Sequence, residues 1–370
     1  MHQTAPTGML TPTTVFCAAL ELSVSKWKLA FTSAERVRLV TIDAGDWRAF
    51  DKETAAARLR LDVPQEQRLV TCYEAGRDGF WIHRELEEKG IANLVVDSSS
   101  IQVSRRARRA KTDGLDAESL AILLVRHVRG EKGVWQVARV PTVEEEDARR
   151  LHRERERLVK ERTGHTTRLK SLLALHGLKV NRLRYGHLST VLPRLPSNIA
   201  AEVVREMERL ELVDRQLEQL AGERLAAVHD RTAPHADKIE QLEKLKALGP
   251  VGATILVSEL FGWRKFKNGK QVGSCAGLAP TPYASGDMQR EQGISKAGNR
   301  RVRTLCVELA WTWLRYQPES ALAKWFNARF AKGQSRSRRL GIVALARKLL
   351  VALWRYLEHG VVPDGALMKA

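Results

Sequence analysis

The chain has 370 residues, with 62 Lys and Arg against 43 Asp and Glu, which gives a formal net charge of +19 and a pI near 10.1. This length predicts two or three domains, and an apolar fraction of 44% is enough for real cores. The positive balance makes a polyanion the expected partner, with nucleic acid leading and a merely basic protein as the alternative, while no apolar run reaches the ~18 residues of a membrane span.

Four cysteines, Cys17, Cys72, Cys275 and Cys306, are far apart in the chain and form no CxxC pair. Cys17 and Cys72 fall inside apolar, strand-like runs, so we interpret them as buried thiols rather than as a disulfide framework or a zinc site. Residues 1–14 are polar and lack the apolar core of a signal peptide, which indicates a disordered tail. Together these features predict a protein of the reducing cytoplasm.

A first domain, residues 15–140, alternates strand-like and helix-like segments. Three β-prone runs separated by short polar stretches predict an antiparallel meander over residues 15–22, 27–32 and 36–42. Buried strands are predicted at residues 68–73 and 92–96. Helices are predicted at residues 49–61, 79–89 and 115–129. Strands that first form hairpins and then alternate with helices predict an α/β sheet with helices packed on it.

A second region, residues 143–235, is rich in Arg, Glu and Leu. Leu151, Leu158 and Leu172 fall on one heptad line, which His165 interrupts, and a later stretch repeats the same spacing of three and four residues. This pattern predicts two long helices that form a coiled-coil hairpin. The hairpin is either a plain helical linker or an arm that holds a homodimer or homotetramer together.

The third region, residues 238–360, opens with Leu245-Lys-Ala-Leu-Gly-Pro-Val-Gly-Ala253, the pattern of a helix-hairpin-helix motif. Gly249 and Gly252 are expected to allow the tight turn, and the N-terminus of the next helix would offer free N–H groups to a phosphate. Many helix pairs turn on glycine, so this signal is of moderate specificity. Two further helices are predicted at residues 300–315 and 337–357.

Four acids in the first domain form the candidate metal site: Glu21 within an apolar strand, Glu74 after another, and the pair Asp113 and Asp116. A buried carboxylate is usually paired, protonated or bound to metal, and two Asp three residues apart on a helix share a face. Carboxylate oxygens suit Mg²⁺, or Mn²⁺, better than Zn²⁺, and two ions about 3.5–4 Å apart can clamp a phosphodiester displacement. A solvated helix start capped by Asp113 is the alternative.

A candidate nucleophile, Ser285, lies in Tyr283-Ala-Ser-Gly286, upstream of a basic run. Ser-Gly is a common turn and a basic run is often a solvated face, so neither is specific by itself. Their proximity favours contacts with phosphate. The candidate nucleic-acid-binding residues are Gly249, Gly252, Lys296, Asn299, Arg300, Arg301 and Arg303.

Taken together, these residues resemble the transposases of the insertion-sequence 110 family, including its 1111 branch. The matching stretches occur in the family's order and cover roughly residues 15–320. They are Glu74-Ala-Gly, Lys111-Thr-Asp-Gly-Leu-Asp-Ala117, Leu248-Gly-Pro-Val-Gly252, Ala276-Gly-Leu-Ala-Pro280, Ser285-Gly286 and Ile294-Ser-Lys-Ala-Gly-Asn-Arg-Arg-Val-Arg303. The combination is specific, although no single stretch is.

The resemblance implies an α/β RuvC-like (RNase H-like) N-terminal domain, a coiled-coil middle and a mainly α-helical C-terminal transposase domain. It implies that Glu21, Glu74, Asp113 and Asp116 bind Mg²⁺, that Ser285 is the nucleophile, and that a structured guide RNA pairs with DNA. The family usually has Asp in the first strand, within Gly-Ile-Asp, whereas this chain has Ala-Leu-Glu21. Glu can also bind Mg²⁺ but reaches one methylene farther.

The function predicted from the sequence is that of a DNA transposase or recombinase of an insertion sequence. Ser285 would attack a phosphodiester and store its energy in a phosphoserine link. Because the acids precede the helical hairpin and Ser285 follows it, we expect a site composed from two protomers. The alternatives are a RuvC-type structure-selective endonuclease that uses water and a non-enzymatic helix-hairpin-helix DNA-binding protein.

Overall fold

A computed structural model describes residues 15–76, 79–101, 113–179, 190–230, 232–285, 288–331 and 333–369. The chain divides into two compact units, Met1–Pro141 and Thr142–Ala370. The predicted tail at residues 1–14 lies outside the described residues, and the predicted regions 143–235 and 238–360 fall within one unit. None of the helices in the described part is long and apolar enough to cross a membrane.

The first unit is built on a five-stranded sheet. Its strands are β1 (Phe16–Leu22), β2 (Lys26–Thr32), β3 (Val37–Asp43), β4 (Leu69–Glu74) and β5 (Ala92–Val96), in the order β3-β2-β1-β4-β5. The first three strands pair antiparallel, which confirms the predicted meander, and β4 and β5 run parallel to β1. A parallel pairing needs a crossover, and the helices between the strands supply it.

Helices cover both faces of this sheet. They are α1 (Trp47–Arg60), α2 (Trp81–Glu88) and α3 (Asp113–Val128). Because side chains alternate along a strand, Phe16 and Leu20 of β1 pack in the cluster formed with α1 and α2, whereas Cys17 and Ala19 pack in the cluster formed with α3. Burial on both faces explains why β1 is a continuous apolar run. Burial also raises the pKa of the Cys17 thiol to about 12.

A helical hairpin opens the second unit. After the short α4 (Val143–Asp147), the long helices α5 (Arg150–Ala174) and α6 (Ser197–His229) pack against each other, as the predicted two-helix pattern requires. Leu158 of α5 packs near Val213 and Leu169 near Val203, so the two helices run antiparallel. The coiled-coil form of the pair stays a prediction.

His165, which interrupts the heptad line, forms a contact between the two helices. Its Nδ1 lies 2.6 Å from Oε2 of Glu206, a carboxylate on α6 that is only 3% exposed. Arg209 also donates to Glu206, at 2.7 Å. The hairpin therefore contains one buried polar layer among its leucines.

The rest of the second unit is mainly helical. Its elements are α7 (Ala236–Glu243), α8 (Pro250–Leu256), a π-helical turn (Val257–Phe261), α9 (Gly269–Cys275), the hairpin β6 (Pro280–Ser285) and β7 (Met288–Ile294), α10 (Arg300–Tyr316), α11 (Ala321–Phe330) and α12 (Ser335–His359). The apolar side of α12, with Leu345, Leu349 and Leu353, lies in a core shared with Trp313 of α10 and Phe326 of α11.

The predicted helix-hairpin-helix stretch forms α7, a turn and α8, but its glycines do not supply the left-handed residue. That residue is Ala247, with φ of 87°. Gly249 is the extended N-cap of α8, with φ of −97°, and Gly252 lies inside α8, where an added Cβ would be 3.8 Å from Leu309. The prediction that Gly249 and Gly252 allow the tight turn is therefore wrong, because neither glycine adopts a conformation that requires glycine.

Candidate active site and nucleic-acid interface

Glu21 and Glu74 lie next to each other at the carboxyl ends of two parallel strands. Leu20 of β1 is in register with Tyr73 of β4, so the two glutamates follow as the next neighbouring positions. Alternation along the strands places Glu21 with Cys17 and Glu74 with Cys72, on the face of the sheet that α3 covers. The sheet therefore brings two of the four predicted acids together.

The start of α3 lies over the same end of the sheet. A Cβ added to Gly114 would come within 3.8 Å of the Lys28 side chain, and Lys28 is the cross-strand partner of Glu21. Asp116, which is half-buried, lies one turn before the buried Leu120, so it is on the sheet-facing side of α3. Asp113 is the first residue of α3, and its side chain lies outside the described part.

Glu21 is less buried than the sequence predicted. It is half-buried and lines a cavity of 180 Å³ together with Ser23, Lys26 and Lys28, while Glu74 is exposed. Among the described side chains, no three His, Cys, Asp or Glu lie close enough to hold one ion. The donors at this end of the sheet include the carboxylates of Glu21 and Glu74, and carboxylate oxygen is a ligand that Mg²⁺ prefers.

Ser285 falls in the second unit, as the last residue of β6. It is in register with Met288, the first residue of β7, so it lies next to the tip of a two-stranded hairpin. Its side chain is outside the described part. The four acids and Ser285 thus belong to different compact units.

Two stretches that carried the family resemblance pack against each other by backbone hydrogen bonds. The amide of Asn299 donates to the Cys275 carbonyl at 2.7 Å, and the amide of Lys296 donates to the Gly277 carbonyl at 3.1 Å. This pairing joins the end of α9 to the start of α10, on either side of the β6–β7 hairpin. The hairpin that carries Ser285 is therefore closed at its base by main-chain contacts.

Two glycines make this close approach possible. Gly277 has φ of 67°, and an added Cβ would be 2.3 Å from the Ala297 carbonyl oxygen. Gly298 has φ of 109°, and its Cβ would be 2.3 Å from the Cys275 carbonyl oxygen. Any other residue at either position would combine left-handed strain with a backbone clash, so both positions require glycine here.

Three of the predicted phosphate-binding residues are engaged within the protein. Arg303 donates to the carbonyls of Ala276, at 3.1 Å, and Lys296, at 3.0 Å. Arg301 forms an ion pair with Glu156 of α5. The side chain of Asn299 caps α10. Lys296 and Arg300 are exposed. Lys296 and Arg300 thus remain exposed to solvent, whereas the other three residues form contacts that hold this segment in place.

A buried carboxylate that the sequence did not single out lies behind this segment. Glu259, in the π-helical turn, is 1% exposed and accepts from His152 Nε2 at 2.7 Å and from Arg153 at 2.7 and 2.9 Å. Its Oε2 also accepts from Asn299 Nδ2 at 2.8 Å. One sequence signal existed, a single acid in the apolar run Ile255-Leu-Val-Ser-Glu-Leu-Phe261, but nothing in it identified the partners.

The protein environment keeps Glu259 ionised. Burial alone would raise the pKa of its carboxyl, but the hydrogen bonds from Arg153 and His152, the charge of Arg153 and the hydrogen bond from Asn299 together hold that pKa well below its usual value. A fixed negative charge therefore lies between the root of the helical hairpin and the start of α10. The hydrogen bond from Asn299 ties the start of the basic segment to this cluster.

The chain matches known proteins along almost its whole length. The family model described as "Transposase IS116/IS110/IS902 family" matches residues 239–325, which include the β6–β7 hairpin, all of α10 and the first half of α11. "Putative transposase y4rJ" of Sinorhizobium fredii is 43% identical over 99% of this chain and 97% of its own length. "Transposase for insertion sequence element IS1111A" of Coxiella burnetii is 27% identical over 78% of each chain.

A match to a transposase over nearly the whole length of both chains identifies the protein as an enzyme that acts on DNA as a transposase. The chain belongs to the IS116/IS110/IS902 transposase family.

Proposed function

We propose that this transposase is a Mg²⁺-dependent serine recombinase of an insertion sequence, in which Ser285 attacks a phosphodiester. The observation that carries this proposal is the closed base of the β6–β7 hairpin. Main-chain contacts between Cys275 and Asn299 fix the strand that ends at Ser285, and the exposed Lys296 and Arg300 lie at that base. A serine near the tip of a hairpin that has exposed cations at its base suits an extended substrate with several phosphates, such as DNA.

The metal site is assigned to Glu21, Glu74, Asp113 and Asp116 in a RuvC-like domain. The strand order β3-β2-β1-β4-β5, with an antiparallel meander followed by parallel strands, supports an RNase H-like fold. The neighbouring Glu21 and Glu74 and the position of α3 support a common site. Bound there, Mg²⁺ or Mn²⁺ would neutralise charge on the scissile phosphate.

The chemistry assigned to Ser285 is a transesterification. Its hydroxyl loses a proton, an Oγ–P bond forms, and the bond from phosphorus to a sugar oxygen breaks. The phosphoserine link conserves the energy of the broken bond, so attack by another strand's hydroxyl can rejoin DNA and release the serine. No external energy source is needed.

The proposed partners are DNA and a structured guide RNA. The chain's charge of +19 and the exposed Lys296 and Arg300 support phosphate contacts. The family resemblance supports the RNA. A protein purified from its host should therefore carry a discrete RNA, and unchanged target choice after nuclease treatment would contradict this part of the proposal.

The active site is proposed to combine two protomers, with the helical hairpin holding a dimer. The acids precede the helical hairpin in the chain and Ser285 follows it, and they fall in different compact units. Mixing Asp116→Asn with Ser285→Ala protein should then restore one working site per mixed dimer and yield DNA-linked protein. Stable mixed dimers without any adduct would show that each site is built from a single chain.

Covalent trapping tests the nucleophile. Wild-type protein and Mg²⁺, incubated with labelled DNA from the ends of its element, should give a protein–DNA adduct that survives denaturation. Ser285→Ala should give none, whereas the matched control Ser295→Ala, an exposed serine of the same basic stretch, should behave as wild type. Metal removal with EDTA and Asp116→Asn should each abolish the adduct.

Two outcomes would overturn the assignment. An adduct formed by Ser285→Ala would place the nucleophile elsewhere. Cleavage by Ser285→Ala at the wild-type rate, with no adduct in either protein, would instead support the RuvC-type endonuclease that uses water.

A further inference from the structure

A lysine lies at the same end of the sheet as the proposed metal ligands. Lys28 of β2 is directly opposite Glu21 of β1, and opposed residues of an antiparallel pair place their side chains on one face of the sheet. Ala30, two residues farther along β2, is buried in the core beneath α3, so this face is the one that α3 covers. The side chain of Lys28 therefore lies on the same side of the sheet as Glu21 and α3.

The ammonium group of Lys28 reaches the first turn of α3. A Cβ added to Gly114 would be 3.8 Å from Cδ and 3.8 Å from Nζ of this lysine, so its outer half lies against the backbone that follows Asp113. Lys28 and Glu21 also line the same cavity of 180 Å³. One positive charge thus lies where the end of β1 and the start of α3 bring the proposed metal ligands together.

A neighbouring lysine has a different environment. Lys26 lines the same cavity, but it is exposed and forms an ion pair with Asp43. Lys28 is half-buried, and among the residues that the structure describes it forms no ion pair and no hydrogen bond, not even with Glu21. Loss of hydration makes a half-buried ammonium costly unless an anion compensates it. The position of Lys28 therefore favours binding of an anion.

The charges of the proposed site indicate which anion it is. Two divalent ions would balance the four carboxylates, and the negative charge of a phosphodiester bound beside them would then have no counterpart. An ammonium at the edge of the carboxylate cluster supplies that counterpart. Its hydrogen bond to a phosphate oxygen would be charge-assisted, which is the stronger kind.

We propose that Lys28 is a phosphate-binding residue of this site, whose ammonium donates to a nonbridging oxygen of the phosphate at which the DNA strand is cut. The proposal rests on the proposed function, because it takes Glu21, Glu74, Asp113 and Asp116 as the metal ligands. It adds the group that holds the substrate rather than the metal. Lys28 stays protonated throughout, and no covalent bond to it forms or breaks.

Metal binding by the full-length protein without DNA gives the first test. Mn²⁺ is titrated, and the free ion is measured by its electron paramagnetic resonance signal. A cation about 6 Å from a divalent ion weakens the binding of that ion by roughly tenfold at the dielectric constant of water. Lys28→Met should therefore tighten Mn²⁺ binding by up to about tenfold. Loss of a merely structural lysine would instead loosen the carboxylates and weaken the binding.

The rate of DNA cleavage at saturating DNA and Mg²⁺ gives the second test. Lys28→Met should slow cleavage by about a hundredfold, the usual effect of removing one donor to a reacting oxygen. Lys28→Arg keeps the charge, so it should retain the wild-type affinity for Mn²⁺ and most of the cleavage rate. The matched control Lys52→Met removes the same charge from α1, on the opposite face of the sheet, and should change neither quantity.

Each deviation from this crossed pattern has a distinct meaning. Tighter Mn²⁺ binding with cleavage at the wild-type rate would mean that Lys28 only balances the acids. Weaker Mn²⁺ binding together with slower cleavage would mean that its role is structural. No change in either quantity would place the ammonium outside the site. Each of these results overturns the proposal for Lys28 and leaves the metal site standing.

The proposed function fails in a different way. If the wild-type protein binds no Mn²⁺, or if Asp116→Asn binds it as tightly as the wild type does, the metal site is wrong and the role of Lys28 is overturned with it. Mn²⁺ binding that Asp116→Asn weakens and Lys28→Met strengthens supports both.

Discussion

Asn299 performs two functions with one amide, and this makes it the most informative position in the second unit. Its Oδ1 accepts from the amides of Arg301, at 3.0 Å, and Val302, at 3.2 Å, and so caps α10. Its Nδ2 donates to buried Glu259 at 2.8 Å. Replacement by Ala removes both interactions at once and leaves the carboxylate with one donor fewer.

The expected cost is the sum of these two interactions. An Asn-to-Ala change at an N-cap costs about 1 kcal/mol, and a hydrogen bond to a charged group contributes about 1.5–3 kcal/mol. Asn299→Ala should therefore lower the free energy of unfolding of the second unit by about 2.5–4 kcal/mol. Because α10 begins at Arg300, its first turn and the exposed cation should also lose their fixed position.

Asn268 provides a matched control within the same unit. It caps α9 by accepting from the amides of Lys270 and Gln271, at 3.0 and 3.1 Å, and among the described residues its side chain forms no hydrogen bond to a buried charge. Asn268→Ala should therefore cost only the cap, about 1 kcal/mol. Urea titration of each variant, followed by tryptophan fluorescence, measures the difference.

Substitution by Asp should have different effects on stability at the two positions. Asp caps a helix as well as Asn does, so Asn268→Asp should be neutral or slightly stabilising. Asn299→Asp keeps the cap but places a second carboxylate against Glu259, so it should be destabilising. If Asn299→Asp proved as stable as wild type, or if the two Ala variants lost equal stability, the contact with Glu259 would not have the role described.

Three further predictions follow from the same contacts. The pKa of Glu206 and of Glu259 is lowered in the folded state, so their contribution to stability is fully present above the unfolded value of 4.5 and is lost as pH falls below it. Urea midpoints measured from about pH 7 to about pH 3 should therefore fall mainly below pH 4.5. A flat profile there would contradict the pairing. Arg300→Ala should reduce the salt slope of DNA binding by about 0.9, whereas Arg301→Ala, whose guanidinium is paired with an acid, should leave that slope nearly unchanged. Glu21→Gln should abolish Mg²⁺-dependent cleavage with little change in melting temperature, and wild-type cleavage would remove Glu21 from the metal site.

The sheet was predictable because its signals are local. Strand-like runs of five to eight residues, polar gaps and the switch to helical spacing placed all five strands within about one residue of their observed bounds. The parallel pairing of β1 with β4, which the sequence did not predict, brings Glu21 and Glu74 side by side. Sequence reasoning named these two acids, but their neighbouring positions come from the strand register.

The partners of the basic residues were not predictable from the sequence. Lys296, Arg300, Arg301 and Arg303 look alike within one basic run, yet two of them are exposed and two are held by groups distant in the chain. Arg301 pairs with Glu156, which precedes it by 145 residues. Charge patterns report how much positive charge a segment carries, but only the fold shows which of it is neutralised.

The same limit applies to a lone acid in an apolar run, the signal that first indicated Glu21. Glu259 shows an equally clear signal, but Glu21 and Glu259 lie in opposite environments in the structure. Glu21 is half-buried at a strand end beside a cavity, whereas Glu259 is 1% exposed and accepts four hydrogen bonds. Glu259→Gln removes the carboxylate that pairs with the Arg153 guanidinium, so it should reduce stability, whereas Glu21→Gln should reduce activity instead. The rule that a buried acid needs a partner is sound, but the partner is a metal candidate in one case and an arginine in the other.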